Sequence, residues 1–252
     1  MFRKRLRALL SGLFLLSSVS VAAEPLRLVS GPDYVPYADP QLPSGGLTTA
    51  LVLAALAAED IPAEAPQFEP WKRGYQDVLA GQFDATFPYL RSPQREADML
   101  YSDPIYDILS VALFRAGSGH DYAGPASLKG LSLCLPIGYG AAPPIAALIA
   151  AGAVHVEQPT TPDLCLMELA EGRVDVFISA ADLIEQRVVA LFGASSPFVR
   201  ARMSVDRQSL HLIAPRTNPA AADLIRRFNA GLAALHKSGR YDEIVRQQLE
   251  AS

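Results

Sequence analysis

The chain has 252 residues, half of them apolar and 19% charged, which allows one large or two small domains with a sizeable core and excludes a disordered tail protein. Its 22 basic and 26 acidic residues leave a formal charge of −4, and without a basic excess no nucleic-acid partner is expected. Four of the cations stand together: Arg3, Lys4, Arg5 and Arg7 precede the apolar run Ala8 to Val21, which ends in Val21-Ala22-Ala23. Positive, apolar and small residues in that order predict a secretory signal peptide over 1–23, cleaved after Ala23. The run is shorter than the ~20 residues that span a bilayer, which favours a removed leader over a permanent anchor. No cysteine at the cleavage site offers a lipid attachment. Without those four cations the remainder, Glu24 to Ser252, carries −8, and no later stretch is long and apolar enough to cross a membrane. The chain is expected to leave the cytoplasm and stay soluble.

Beyond the leader, short β-rich runs alternate with helical patterns, the pattern of an α/β protein. Leu26 to Ser30 reads as a strand punctuated by Gly31-Pro32, and Gly45-Gly46 opens a helix over 47–58. Gln67 to Glu69 is extended, and Pro70 before Trp71 suits the start of a helix that Gly81 ends. Phe83 to Phe87 is a strand, Ser92-Pro93 begins a helical turn, and Ile108 to Arg115 is an apolar strand. The small-residue run Ala116-Gly117-Ser118-Gly119 is a candidate linker. A second α/β unit follows, with strands at 131–135, 154–156 and 174–179 and helices at 143–151, 164–171 and 181–191. Thr161 is placed to cap the second of those helices. Val199 to Val205 and Ser209 to Pro215 read as strands returning across the boundary, and helices at 218–236 and 240–249 close the chain. Two α/β units place a cleft at their interface, a favoured ligand position. Strands that cross between them would permit hinge closure.

Cys134 and Cys165 stand 31 residues apart in the exported part, so a disulfide is expected, stabilising by roughly 3–4 kcal/mol. The alternative is two separate buried thiols. The four histidines are scattered singly, and no metal site is expected. No Gly-x-Ser-x-Gly elbow, Walker loop or His-Glu-x-x-His helix is present. Gly138-Tyr139-Gly140 begins like a dinucleotide loop, but Pro143 occupies the third glycine's position. No cofactor is expected, and no carboxylate is singled out as catalytic.

Gly81-Gln82-Phe83-Asp84-Ala85, Ser92-Pro93-Gln94-Arg95 and Tyr101-Ser102-Asp103-Pro104-Ile105-Tyr106 together resemble the bacterial periplasmic solute-binding proteins of family 3, the polar amino-acid type. Other segments agree in the same order: Tyr34-Val35-Pro36-Tyr37, Leu128-Lys129-Gly130, Gly172-Arg173-Val174-Asp175 and Gly239-Arg240-Tyr241. The resemblance covers essentially all of 24–252. It implies a periplasmic binding protein-like fold, two α/β lobes joined by two crossover strands with a ligand cleft between them. The expected lobes are 24–115 plus 205–252, and 116–204. It also implies a monomer in the periplasm that captures a small-molecule solute and hands it to a membrane ABC permease.

Carried onto this chain, the resemblance makes Arg95 the clamp for a ligand carboxylate, which a guanidinium matches in a planar, bidentate way. The alternative is a surface arginine beside Glu96. Tyr34 and Trp71 fall at aromatic positions that flank the ligand, with core packing the rival role; Tyr37 reads as core. The loop Gly138 to Ala142, with Tyr139, opens a helix whose free amides and dipole would favour an anion. Arg73 is a further candidate charge for the cleft, and Asp103 reads as a structural turn residue.

Three departures alter the expected pocket. The family's ammonium-binding Asp falls on Ala180, and the nearest acid is Asp182, so either Asp182 turns inward or the ligand lacks that amine. The small or hydroxyl residues before the arginine are here Phe87, Pro88, Tyr89 and Leu90, and proline donates no amide, which leaves Leu90 and Tyr89 as donors. Tyr139 replaces a small hydroxyl residue. The competing readings are a periplasmic dehydratase-like enzyme acting on a cyclic acid, which needs a carboxylic acid in the cleft, and a ligand sensor presenting to a membrane receptor.

Overall fold

The computed structural model describes residues 24–193 and 195–251; the leader expected over 1–23 lies outside the described residues. Strands β1 (Leu28–Ser30), β2 (Gln67–Phe68), β3 (Ala85–Leu90) and β4 (Met99–Tyr101) are interspersed with helices α1 (Leu47–Ala57), α2 (Trp71–Leu79) and α3 (Pro93–Asp98). The long strand β5 (Tyr106–Arg115) then leads to β6 (Ser132–Cys134), α4 (Pro143–Ala150), β7 (His155–Glu157) and α5 (Pro162–Glu171). Next come β8 (Val176–Ala180), α6 (Ala181–Phe192) and β9 (Phe198–Arg200), and a second long strand, β10 (Asp206–Pro215), precedes α7 (Ala221–Ser238) and α8 (Arg240–Glu250).

The strands follow the order β2-β1-β3-β10-β5-β8-β6-β7, with β4 also on β10 and β9 also on β5. Parallel β1, β2 and β3 form one lobe's sheet and parallel β6, β7 and β8 the other's. The two long strands join them antiparallel. β10 pairs β3 and β4 through residues 210–215 and β5 through 206–210. β5 pairs β10 up to Ser110, and from Ser110 onward it pairs β8. The fold is therefore two α/β lobes joined by two crossover strands, with a cleft between them.

Both crossings are made in strand, which lets the backbone pair with neighbouring strands on its way between lobes. This differs from the expected pair of returning strands. Val199 lies in the three-residue β9, which stays on β5 in the second lobe, and β10 alone returns. The turn at 116–119 follows β5 there too, with the Ala116 amide donating to Pro197 O. β4, three residues long, was too short to show alternation.

Local signals fix the helix ends. Ser92 Oγ accepts the Arg95 amide and caps α3, and Thr161 Oγ1 accepts the Leu164 amide and caps α5. Cys134 and Cys165 form the expected disulfide, tying the end of β6 to α5. In the first lobe α1 packs on α7 at very close range: a Cβ on Gly231 would stand 2.0 Å from Ala55 O. Gly231→Ala would gain ~1 kcal/mol of helix propensity on an isolated helix. Here the methyl meets backbone, so a net loss of about 2 kcal/mol is expected, seen as a Tm lower by about 4–8 °C in calorimetry. An unchanged or raised Tm would contradict the close approach.

Candidate functional site

Aromatic residues build the first lobe's wall of the cleft. Trp71, the chain's sole tryptophan, begins α2, and its indole lies flat on Gly31, where a Cβ would come within 2.1 Å of Cδ2. Its Nε1–H donates to Pro32 O at 3.1 Å, and the Tyr89 hydroxyl donates to Trp71 O at 3.1 Å. Tyr34 meets Trp71 edge-on at 5.9 Å and 89°. The second lobe adds Tyr139, edge-on to Tyr34 at 5.5 Å and to Trp71 at 5.9 Å. Burial pushes the Tyr34, Tyr89 and Tyr139 phenols up, so all three remain neutral hydroxyls.

Arg95 rises from α3 into this wall. Its guanidinium stands 4.9 Å over the Tyr89 ring, and Nη1–H donates to Leu90 O at 3.1 Å. Nη2–H donates across the cleft to Gly138 O at 3.2 Å. Among the described residues, two other side-chain hydrogen bonds span the cleft: the Tyr139 hydroxyl to Asp33 O at 3.0 Å, and the Tyr37 hydroxyl to Asp182 Oδ2 at 2.7 Å. Gly138 has φ +86°, and a Cβ there would stand 2.6 Å from Trp71 Cβ, so the second lobe's backbone rests directly on the first lobe's tryptophan.

The cleft is partly open to solvent, and the space inside it that a water-sized sphere's centre can reach is about 50 Å³. Of the expected site residues, Tyr34, Trp71, Leu90, Arg95, Gly138 and Tyr139 all line it. Asp182 is not among the lining residues. It sits in the first turn of α6 with Oδ2 taken by the fully buried Tyr37, while Ala180, at the end of β8, faces the cleft instead. Arg73 points to solvent, where it pairs with Glu69 and Asp77. The amide-rich helix start expected after Gly138 is also corrected. Pro143 and Pro144 remove the first two amides of α4, and the next two, of Ile145 and Ala146, already donate to Ala142 O. The amides of Gly140, Ala141 and Ala142 have no protein acceptor among the described residues.

Three polar lining residues escaped the sequence reading: Ser110 and Gln208 on the crossover strands, and Ser179 on β8. The Ser110 hydroxyl donates to Gln208 Oε1 at 3.1 Å, so this pair bridges β5 and β10. Its one sequence signal is a serine inside the apolar run 108–114. Arg95 is the sole charged side chain among the described lining residues. Outside the lining, Arg187 pairs with Asp163 at the second lobe's rim. Burial and the neighbouring Asp39 push the Asp33 carboxyl up, and Arg187 opposes them.

Further along β10, His211 Nδ1–H donates to Ser102 O at 2.8 Å, and burial holds the imidazole below its ordinary pKa of 6.5. The unfolded chain therefore takes up a proton first as pH falls. Stability is expected to be full above about pH 6.5 and to decline below it until the native imidazole also protonates. His211→Asn, which keeps a donor near the Nδ1 position, should flatten that part of the urea-stability profile; a slope identical to wild type would exclude His211 as its source. Trp71 fluorescence reports on the lobe contact. Gly138→Ala is expected to red-shift it by lifting the second lobe off the indole, and an unchanged spectrum would contradict the contact.

The bacterial extracellular solute-binding proteins, family 3, match this chain over residues 26–250. No curated protein matches in sequence. Among solved structures, a mutant of ArgBP from T. maritima is 17% identical with a TM-score of 0.73, over 89% of this chain and 95% of that one. An ancestral arginine-binding protein bound to arginine is 16% identical with a TM-score of 0.74, over 89% and 97%. A histidine kinase sensor domain with similarity to periplasmic binding proteins is 22% identical with a TM-score of 0.73, over 89% and 96%. These likenesses are of fold. With two lobes, two crossover strands and a family match that runs nearly end to end, the chain belongs to the bacterial extracellular solute-binding proteins of family 3.

Proposed function

We propose that the protein captures a small carboxylate-bearing solute in the periplasm by hinge closure and delivers it to a membrane ABC permease. The observation that carries this reading is Arg95, a lone cation set in a neutral, largely apolar cleft and reaching across it to Gly138. An incoming carboxylate would accept the two N–H bonds that Leu90 and Gly138 carbonyls now accept, and a full negative charge is a stronger partner than either carbonyl. The amides of Gly140 to Ala142 supply donors from the other lobe. Tyr34, Trp71 and Tyr139 would enclose the ligand's body. The moving units are 24–115 with 205–252, and 116–204, turning about β5 and β10 beside the Ser110–Gln208 pair.

Dehydration of a cyclic acid is less well supported, because no carboxyl group lines the cleft among the described residues. A disulfide in the second lobe and the leader-like first residues suit an exported protein. The permease partner rests on family membership.

The test is a thermal-shift series with small carboxylic acids on wild type, Arg95→Ala and Arg95→Lys. A ligand at 100 times its Kd should add about 2.7 kcal/mol, or about 5–10 °C in Tm, to the wild-type protein. Arg95→Ala is expected to show no shift, and Arg95→Lys, which keeps charge but not the planar fork, to bind at least about tenfold more weakly. A full shift in Arg95→Ala would overturn the assignment of the clamp.

A further inference from the structure

From the charge inventory of the cleft we infer the ligand's chemical class: an amine-free monocarboxylate with an apolar body, discriminated from the α-amino acid of the same skeleton. This rests on the cleft reading above and deepens it. The described lining residues carry one formal charge, on Arg95, and no carboxylate. The remaining polar side chains, Ser110, Ser179, Gln208 and the tyrosine hydroxyls, are neutral. A ligand carboxylate therefore has a counter-charge and an ammonium has none.

The position of that ammonium makes matters worse. In an α-amino acid it lies two bonds from the carboxylate carbon, so a carboxylate on Arg95 brings the ammonium up beside a guanidinium. Removing such a group from water unpaired, next to a like charge, is strongly unfavourable. The acid nearest Ala180, Asp182, gives Oδ2 to the buried Tyr37 hydroxyl, and Asp33, Glu96 and Asp107, each next to a lining residue in sequence, are not in the lining themselves. Arg95 already covers the Tyr89 face, and Tyr34, Trp71 and Tyr139 meet edge to face. A second carboxylate on the ligand would find no second cation among the described lining residues, which favours a solute with a single negative charge. Leu133, Leu135, Ile145 and Ile178 complete an apolar surround for its body. A hydrogen, hydroxyl or carbonyl oxygen at the α-carbon suits the site, and an amine does not.

Isothermal titration of the full exported protein with matched pairs tests this: 4-methylpentanoate against leucine, and 3-phenylpropanoate against phenylalanine, at pH 7.5 and constant salt. At least one acid is expected to bind about 100-fold or more tightly than its amino acid, with binding lost in Arg95→Ala. Ala180→Asp, which puts a carboxylate into the lining, is expected to weaken the acid and strengthen the amino acid. Amino acids that bind as tightly as the acids, or millimolar silence from both acids, would overturn the ligand class. If the amino acids bind and Arg95→Ala abolishes it, the cleft and its clamp stand and the class alone falls. If binding survives in Arg95→Ala, the cleft reading itself fails.

Discussion

The Arg95 guanidinium lies between two backbone carbonyls, Leu90 O on its own lobe and Gly138 O on the other, above the face of Tyr89. A half-buried cation needs oxygen partners, and carbonyl dipoles provide them without cancelling its charge. The cleft therefore keeps a net positive charge even though its hydrogen bonds are filled. Several local features answer to that one placement. Ser92 caps the short helix that carries Arg95, Tyr89 is held by the Trp71 carbonyl, and Gly138 lacks the Cβ that would drive its carbonyl away from Trp71 and Arg95.

Closure follows from the same contacts. The lobes meet through Arg95–Gly138, Tyr139–Asp33 and Tyr37–Asp182, Gly138 against Trp71 Cβ and the backbone beside it, and a cluster of aromatic edges. Hydrogen bonds of this kind contribute about 0.5–1.5 kcal/mol each, somewhat more where a charge takes part. Their sum is of the size that a ligand's differential affinity for open and closed lobes can shift. Of the three, Tyr37–Asp182 lies outside the cleft lining, so under the proposed reading part of the closing free energy would belong to the protein and part to a solute that replaces the carbonyls on Arg95.

What the sequence made legible was local or carried by ordered motifs. Ser92-Pro93-Gln94-Arg95 announces both a capped helical turn and its guanidinium; Thr161 and Gly172 mark the ends of α5. The crossover hinge is half legible: Ser209 to Pro215 reads as a returning strand and is one, whereas Val199 to Val205 reads the same way because an apolar β run does not declare which lobe it pairs with. The remaining features depend on residues distant in sequence. Tyr37 and Asp182 are 145 residues apart, and Ser110 and Gln208 are 98 apart. Gly31 looks like a turn glycine until Trp71 is seen lying on it. Asp182 illustrates the limit best: two residues separate it from Ala180, and the strand-to-helix junction at 180–181 leaves the alanine on the cleft and hands the acid to Tyr37.

The most direct measurement is the side-chain NMR spectrum of protein carrying nitrogen-15 arginine, followed while 3-phenylpropanoate is titrated and Trp71 fluorescence is read in parallel. If the solute's carboxylate displaces the Leu90 and Gly138 carbonyls, the Arg95 guanidinium resonances shift and saturate with the same Kd as the Trp71 signal. Saturation of the Trp71 signal with the Arg95 resonances unmoved would show that the cleft closes on its ligand without this arginine, and would contradict the central role given to its charge.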